Sequence, residues 1–139
     1  MMRTLGIDYG DARIGLAITD ALGITAQGLE TIHYNGNDKV ALKRLEEIIN
    51  EYEIDTIVVG MPLNMSGEKT KRAEVTDKFI HKLKCKFNKI KIETMDERLT
   101  TVEAHKTMNL LNINKNKKRD IVDTISAVYI LEKYMKLKE

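Results

Sequence analysis

The 139 residues are 42% hydrophobic and 32% charged, with 23 Lys plus Arg against 21 Asp plus Glu. A chain of this length buries a core without disulfide or structural-metal staples, and a net charge of +2 neither demands nor excludes a nucleic-acid partner. The single Cys85 rules out an internal disulfide, no apolar run approaches membrane-spanning length, and the N-terminus enters a strand pattern with no signal-peptide core, so a cytoplasmic setting is expected.

Pro62 is the sole proline, and neither a repeat nor a low-complexity linker divides the sequence, so residues 1–139 read as one domain. Residues 3 to 8, 12 to 19 and about 25 to 33 form three short strand patterns separated by Gly10-Asp11 and Ala21-Leu22-Gly23, which predicts a meander of hairpins. Behind a cap at Asn37 or Asp38, Ala41, Leu45, Ile48, Ile49 and Tyr52 recur at helical spacing. Asp55 to Gly60 is a continuous apolar run of the kind found in a central strand, and a second helix from about Glu68 carries Ala73, Thr76, Phe79, Ile80 and Leu83 inward. Ile90, Ile92 and Thr94 alternate as a further strand. Thr100 with Glu103 fits a capping box for a third helix, and Asp120 to about Lys136 makes a fourth. Three hairpin strands followed by alternating helices and strands imply an α/β mixed sheet with helices on its faces.

Acids stand at conspicuous places in this frame. Asp8 ends the first strand on the face shared with Gly6, and Gly15 and Ala17 leave the neighbouring strand with little side-chain bulk, so a backbone or substrate can approach there. Asp before Tyr-Gly is also ordinary turn chemistry. The Ile90 strand runs into Asp96-Glu97-Arg98, where the carboxylates could instead serve only to charge a helix N-terminus. On the last helix Asp123 shares a face with Ala127, Ile130 and Tyr134; a carboxylate there needs a cation or donors to compensate it. Carboxylates without His or Cys beside them suit a hard divalent cation such as Mg²⁺ or Mn²⁺, and pairs of such ions drive phosphodiester hydrolysis. The stretch NINKNKKRD supplies Lys115, Lys117, Lys118 and Arg119, read as a basic loop before the Asp123 helix, and Arg13 and Arg98 flank the other acids.

Gly67-Glu68-Lys69-Thr70 lacks the spacing of a phosphate-binding P-loop, and His81 with Cys85 cannot complete a tetrahedral metal site. The sequon Asn64-Met65-Ser66 would not be used in a cytoplasmic protein.

Four segments, GIDYGDARIGLA, VVGMPLNMSGEKTKRA, DERLTTVEA and VDTISAVYIL, closely resemble the YqgF/RuvX family of bacterial RNase H-like nucleases, and the resemblance spans nearly the whole chain. It implies an RNase H-like mixed five-stranded sheet, with three antiparallel strands and then two parallel ones. It also implies activity either as a nuclease maturing the 5′ end of pre-16S ribosomal RNA or as a Holliday junction resolvase. Carried over motif by motif, the acidic triad falls on Asp8, Glu97 and Asp123. Strand parity places Asp96, not Glu97, with Ile90, Ile92 and Thr94, which leaves the choice between them open, and Asp120 is near enough to assist. The expectation is therefore a metal-dependent nuclease for structured nucleic acid, first precursor ribosomal RNA and next branched DNA. Its expected setting is among ribosomal particles, away from membranes, as a monomer or weak homodimer. Two other classes stay beside it: an actin-like nucleotide-binding domain, suggested by GIDYG, and a non-catalytic RNA-binding module.

Overall fold

A computed structural model describes residues 3–63, 70–96 and 115–138. Its elements are β1 (Arg3–Tyr9), β2 (Arg13–Thr19), β3 (Ala26–His33), α1 (Asp38–Tyr52), β4 (Ile54–Met61), α2 (Lys71–Lys86), β5 (Lys91–Asp96) and α3 (Lys115–Leu137). One five-stranded sheet runs β3-β2-β1-β4-β5. The hairpins β1–β2 and β2–β3 are antiparallel, while β4 and β5 lie parallel to β1, as the sequence predicts.

The twofold alternation of strand side chains divides the interior. Leu5 and Ile7 of β1, Ile14, Leu16 and Ile18 of β2, and Ile57 and Val59 of β4 turn to one face, where they meet Leu45 and Ile48 of α1 and Phe79 and Leu83 of α2. The opposite face is covered by α3, whose Ala127 and Leu131 pack on Ala17 while Ile130 packs on Val58 and Met95. Strand β4 is thus buried on both sides, which is why it reads as an unbroken apolar run. The α3 face is lined by small residues, and this lets a helix backbone settle directly on the strands. A Cβ at Gly6 would stand 3.0 Å from the Ala127 carbonyl oxygen, and one at Gly15 only 2.1 Å from that of Asp123.

Two expected boundaries move. Helix α2 begins at Lys71 rather than near Glu68, because the Thr70 hydroxyl accepts from the Ala73 amide and caps it there. Helix α3 already includes Lys115, the first described residue of its stretch, rather than starting at Asp120, so its basic residues lie on helical turns and not in a loop. The run KNKKRD holds no Gly or Pro, and Lys and Arg are good helix formers, so nothing stops the helical pattern from extending back. The expected Thr100 helix lies outside the described residues.

Candidate active site at the carboxyl ends of the parallel strands

Because β1, β4 and β5 run parallel, their carboxyl ends share one edge of the sheet, and the antiparallel neighbours bring the start of β2 and the end of β3 to the same edge. Asp8 is therefore set beside Arg13 and His33 by topology alone. Its partner across the β1–β2 ladder is Gly15, and the main chain of Asp123 rests on Gly15, so the missing Cβ brings the two acids near one another.

Arg13 Nε donates to Asp123 Oδ2 at 2.7 Å. Burial pushes the Asp123 carboxyl above its ordinary range; Arg13 pulls it back, and the charges of Asp8 and Asp120 push it up again, leaving it raised. One turn before it, Asp120 is gripped by β3. The Thr31 hydroxyl donates to its carbonyl at 2.9 Å, and His33 Nε2 lies 3.2 Å from its carboxylate. Arg119 and Asp120 join Ala12, Arg13, His33 and Asn35 around a shallow hollow of about 250 Å³.

Asp8, Asp120 and Asp123 offer only oxygen donors, the type that hard cations such as Mg²⁺ or Mn²⁺ take, and the Asp123 carboxyl stays raised chiefly by burial in spite of Arg13. Among the described residues no three acidic, His or Cys side chains stand close enough together to hold an ion unaided. Glu97 and Arg98 lie outside the described residues. Asp96 closes β5 at this edge, but Met95 points into the α3 cluster, so the pleat turns Asp96 to the opposite face from Asp8. Its carbonyl accepts from Lys133 Nζ at 3.0 Å. Lys118 is half-buried and Arg119 exposed; Lys115 and Lys117 begin α3, their side chains outside the described part.

Two residues at this edge escape a reading of motifs. His33 could be found from hairpin register, since it lies opposite Arg13. Arg72 carries no local signal: its guanidinium donates to the Tyr9 carbonyl and to Asp11, 63 and 61 positions away in the chain, and only the tertiary fold joins them.

The profile of the RuvX family, described as Holliday junction resolvase, matches residues 2–137. A protein of Ruminiclostridium cellulolyticum is 57% identical over 136 residues, covering 96% of this chain and 94% of its own length. One of Acetivibrio thermocellus is 50% identical over 137 residues, covering 99% and 97%. Both bear the name “Putative pre-16S rRNA nuclease”. Among solved structures, T. thermophilus RuvC in complex with a Holliday junction substrate shares the fold at a TM-score of 0.59 and 12% identity, covering 99% of this chain and 96% of that one. The fowlpox virus resolvase, solved with junction DNA, superposes with a TM-score of 0.59 at 14% identity, each chain covered to 99%.

Proposed function

The chain belongs to the RuvX family, a nuclease family whose members hydrolyse phosphodiester bonds, and from that premise we propose that it trims the 5′ end of pre-16S ribosomal RNA with the help of divalent cations. Relatives at 57% and 50% identity that carry the pre-16S name support the choice of RNA. The observation that carries the chemistry is the enforced approach of Asp8 and Asp123 across Gly15, with the Asp123 carboxyl held above its ordinary range.

Asp8, Glu97 and Asp123 would hold the cations, and Asp120, anchored by Thr31, would assist. When bound, a pair of Mg²⁺ or Mn²⁺ ions activates water for attack and neutralises charge on the leaving oxygen. Arg13 holds the Asp123 carboxylate in place by donating to one of its oxygens. Lys118 and Arg119, with Lys115, Lys117 and Arg98, supply phosphate contacts that position substrate without reading its sequence. The protein would work as a single domain in the cytoplasm on ribosomal particles, as a monomer or weak homodimer; no helix among the described residues is long and apolar enough to cross a membrane.

The test presents purified protein with a transcript spanning the 5′ end of pre-16S RNA and, separately, with a four-way DNA junction, in Mn²⁺, in Mg²⁺ and in EDTA. Metal-dependent cleavage at the mature RNA end is the expected result. Cleavage of the junction alone would favour the resolvase reading, which the family's description keeps in view. Binding of RNA without cleavage of either would leave a non-catalytic module.

A further inference from the structure

Arg72, in the first turn of α2, makes three contacts with the segment that follows Asp8. Its Nη2 donates to the Tyr9 carbonyl at 2.6 Å, its Nη1 to Asp11 Oδ1 at 2.6 Å, and its guanidinium lies over the Tyr9 ring at 4.8 Å. That ring is held from elsewhere too: it stacks on Phe79 with centroids 4.1 Å apart, and its hydroxyl donates to Asp38 Oδ1 at 2.8 Å. The rest of the turn is pinned by the Gly10 amide on the Arg13 carbonyl at 2.9 Å, the Tyr34 hydroxyl on the Gly10 carbonyl, and the Tyr34 and Asn35 amides on the Ala12 carbonyl.

The side of the sheet from which Arg72 arrives decides its role. Alternation along β1 turns Asp8 toward α3, beside Gly15 and Asp123, and turns Tyr9 into the α1/α2 core. Arg72 reaches Tyr9 from that second side, so its guanidinium is spent on a main-chain carbonyl, an aromatic face and Asp11 rather than aimed into the acid cluster. The planar fork is what makes the arrangement possible, because one guanidinium can serve a carbonyl and a carboxylate at once while stacking on a ring, and an ammonium cannot.

We infer that Arg72 is a positioning residue of the nuclease: by holding the Tyr9 carbonyl, the Tyr9 ring and Asp11, it fixes the backbone that aims the Asp8 carboxylate across Gly15 toward Asp123. The inference rests on the reading of Asp8 as a catalytic acid. A displacement of about 1 Å at a reacting centre costs on the order of 100-fold in rate. Loss of the fork should therefore appear in turnover rather than in substrate affinity.

The experiment measures steady-state cleavage of the pre-16S 5′ transcript in Mn²⁺, with the four-way DNA junction as second substrate, for wild type, Arg72→Ala, Arg72→Lys and Asp8→Asn. Binding of the same RNA is followed over a range of salt. Arg72→Ala is expected to lower kcat by on the order of 10- to 100-fold while KM and RNA affinity stay within about twofold. Arg72→Lys should recover only part of that loss. Full kcat in folded Arg72→Ala overturns the proposal. So does a loss that lies in KM and RNA affinity with a flattened salt slope, since that behaviour marks a phosphate contact. Should Arg72→Ala not fold, Arg72→Lys carries the same kcat-against-KM comparison. An active Asp8→Asn enzyme would overturn the catalytic reading of Asp8, and this inference with it; an inactive Asp8→Asn beside a fully active Arg72→Ala overturns the inference alone.

Discussion

At Asp123, burial and two neighbouring acids act against a single arginine, and the balance leaves the carboxyl easier to protonate than in the unfolded chain. The sign follows by linkage. A carboxyl whose folded pKa is raised stabilises the fold below its unfolded value, about 3.9, and that contribution is lost as pH climbs through the raised folded value. Asp8→Asn removes one of the charges that raise it. The variant should be inactive and, with that repulsion gone, more stable than wild type at neutral pH. Thermal melts of both proteins from acid to neutral pH, beside a cleavage assay, check this; a variant less stable than wild type would refute the repulsion. In the sequence, Asp123 was legible as an acid on an apolar stripe and Asp8 as an acid at a strand end. That Arg13 would answer Asp123 was not legible, because the two lie 110 positions apart and meet only across the sheet. Nor could residue chemistry choose between Asp96 and Glu97; the pleat of β5 turns Asp96 away from Asp8, which leaves Glu97 as the proposed ligand.

Among elements, the pairing of α3 with the hairpin sheet depends on strand positions that carry no side chain. Gly15→Ala would drive a methyl to 2.1 Å from the Asp123 carbonyl oxygen, and that atom belongs to a helix backbone that cannot swing aside. The helix must lift. Overpacking of this kind costs about 1 to 3 kcal/mol, so the variant should melt lower than wild type. It should also lose activity beyond its loss of folded protein, because lifting α3 separates the acids; denaturant midpoints and single-turnover cleavage would show both, and unaltered turnover by the folded fraction would uncouple Gly15 from the site. The small-residue face was visible in the sequence as Gly6, Gly15 and Ala17, although what covered it was not. The early turns of α3 are not legible in the sequence because a run of Lys, Asn and Arg has the composition of a solvated loop, although no breaker interrupts it. Ala is a better helix former than Lys or Arg. Replacing Lys115, Lys117, Lys118 and Arg119 with Ala should leave the protein at least as stable while weakening nucleic-acid binding across sequences. Each lost contact should flatten the slope of log affinity against log salt by about 0.9 on duplex DNA and about 0.7 on single strands. Equal affinities and parallel slopes would show that this turn is only a solvated charge run.

For the molecule as a whole, one helix joins two groups with opposed titration. At the site end of α3, Asp123 is raised; near its other end the Tyr134 hydroxyl, with Lys138 and Lys91 beside it, holds Glu93 below the usual carboxylate range, and Tyr134 itself is pushed up to about 12. Glu93 contributes stability that is present above its unfolded value and fades as pH falls through its depressed one, while Asp123 contributes the reverse. The alternation of strands and helices in the sequence was enough to give a mixed sheet, but not to show that these two acids would sit at opposite ends of one strap across it. A divalent cation at the site end requires ionised carboxylates, so its binding competes with protonation of Asp123. The rise in Tm produced by a fixed concentration of Mn²⁺ should therefore grow as pH climbs through the raised Asp123 value; an ion at a hundred times its Kd stabilises the fold by about 2.7 kcal/mol. The same rise should be small in Asp8→Asn and unchanged in Glu93→Gln, whose site end is intact. Melts of the three proteins in Mn²⁺ across the acid-to-neutral range measure it. A metal-induced shift that is independent of pH, or that Glu93→Gln removes, would place the bound ion elsewhere than at the carboxyl ends of the parallel strands.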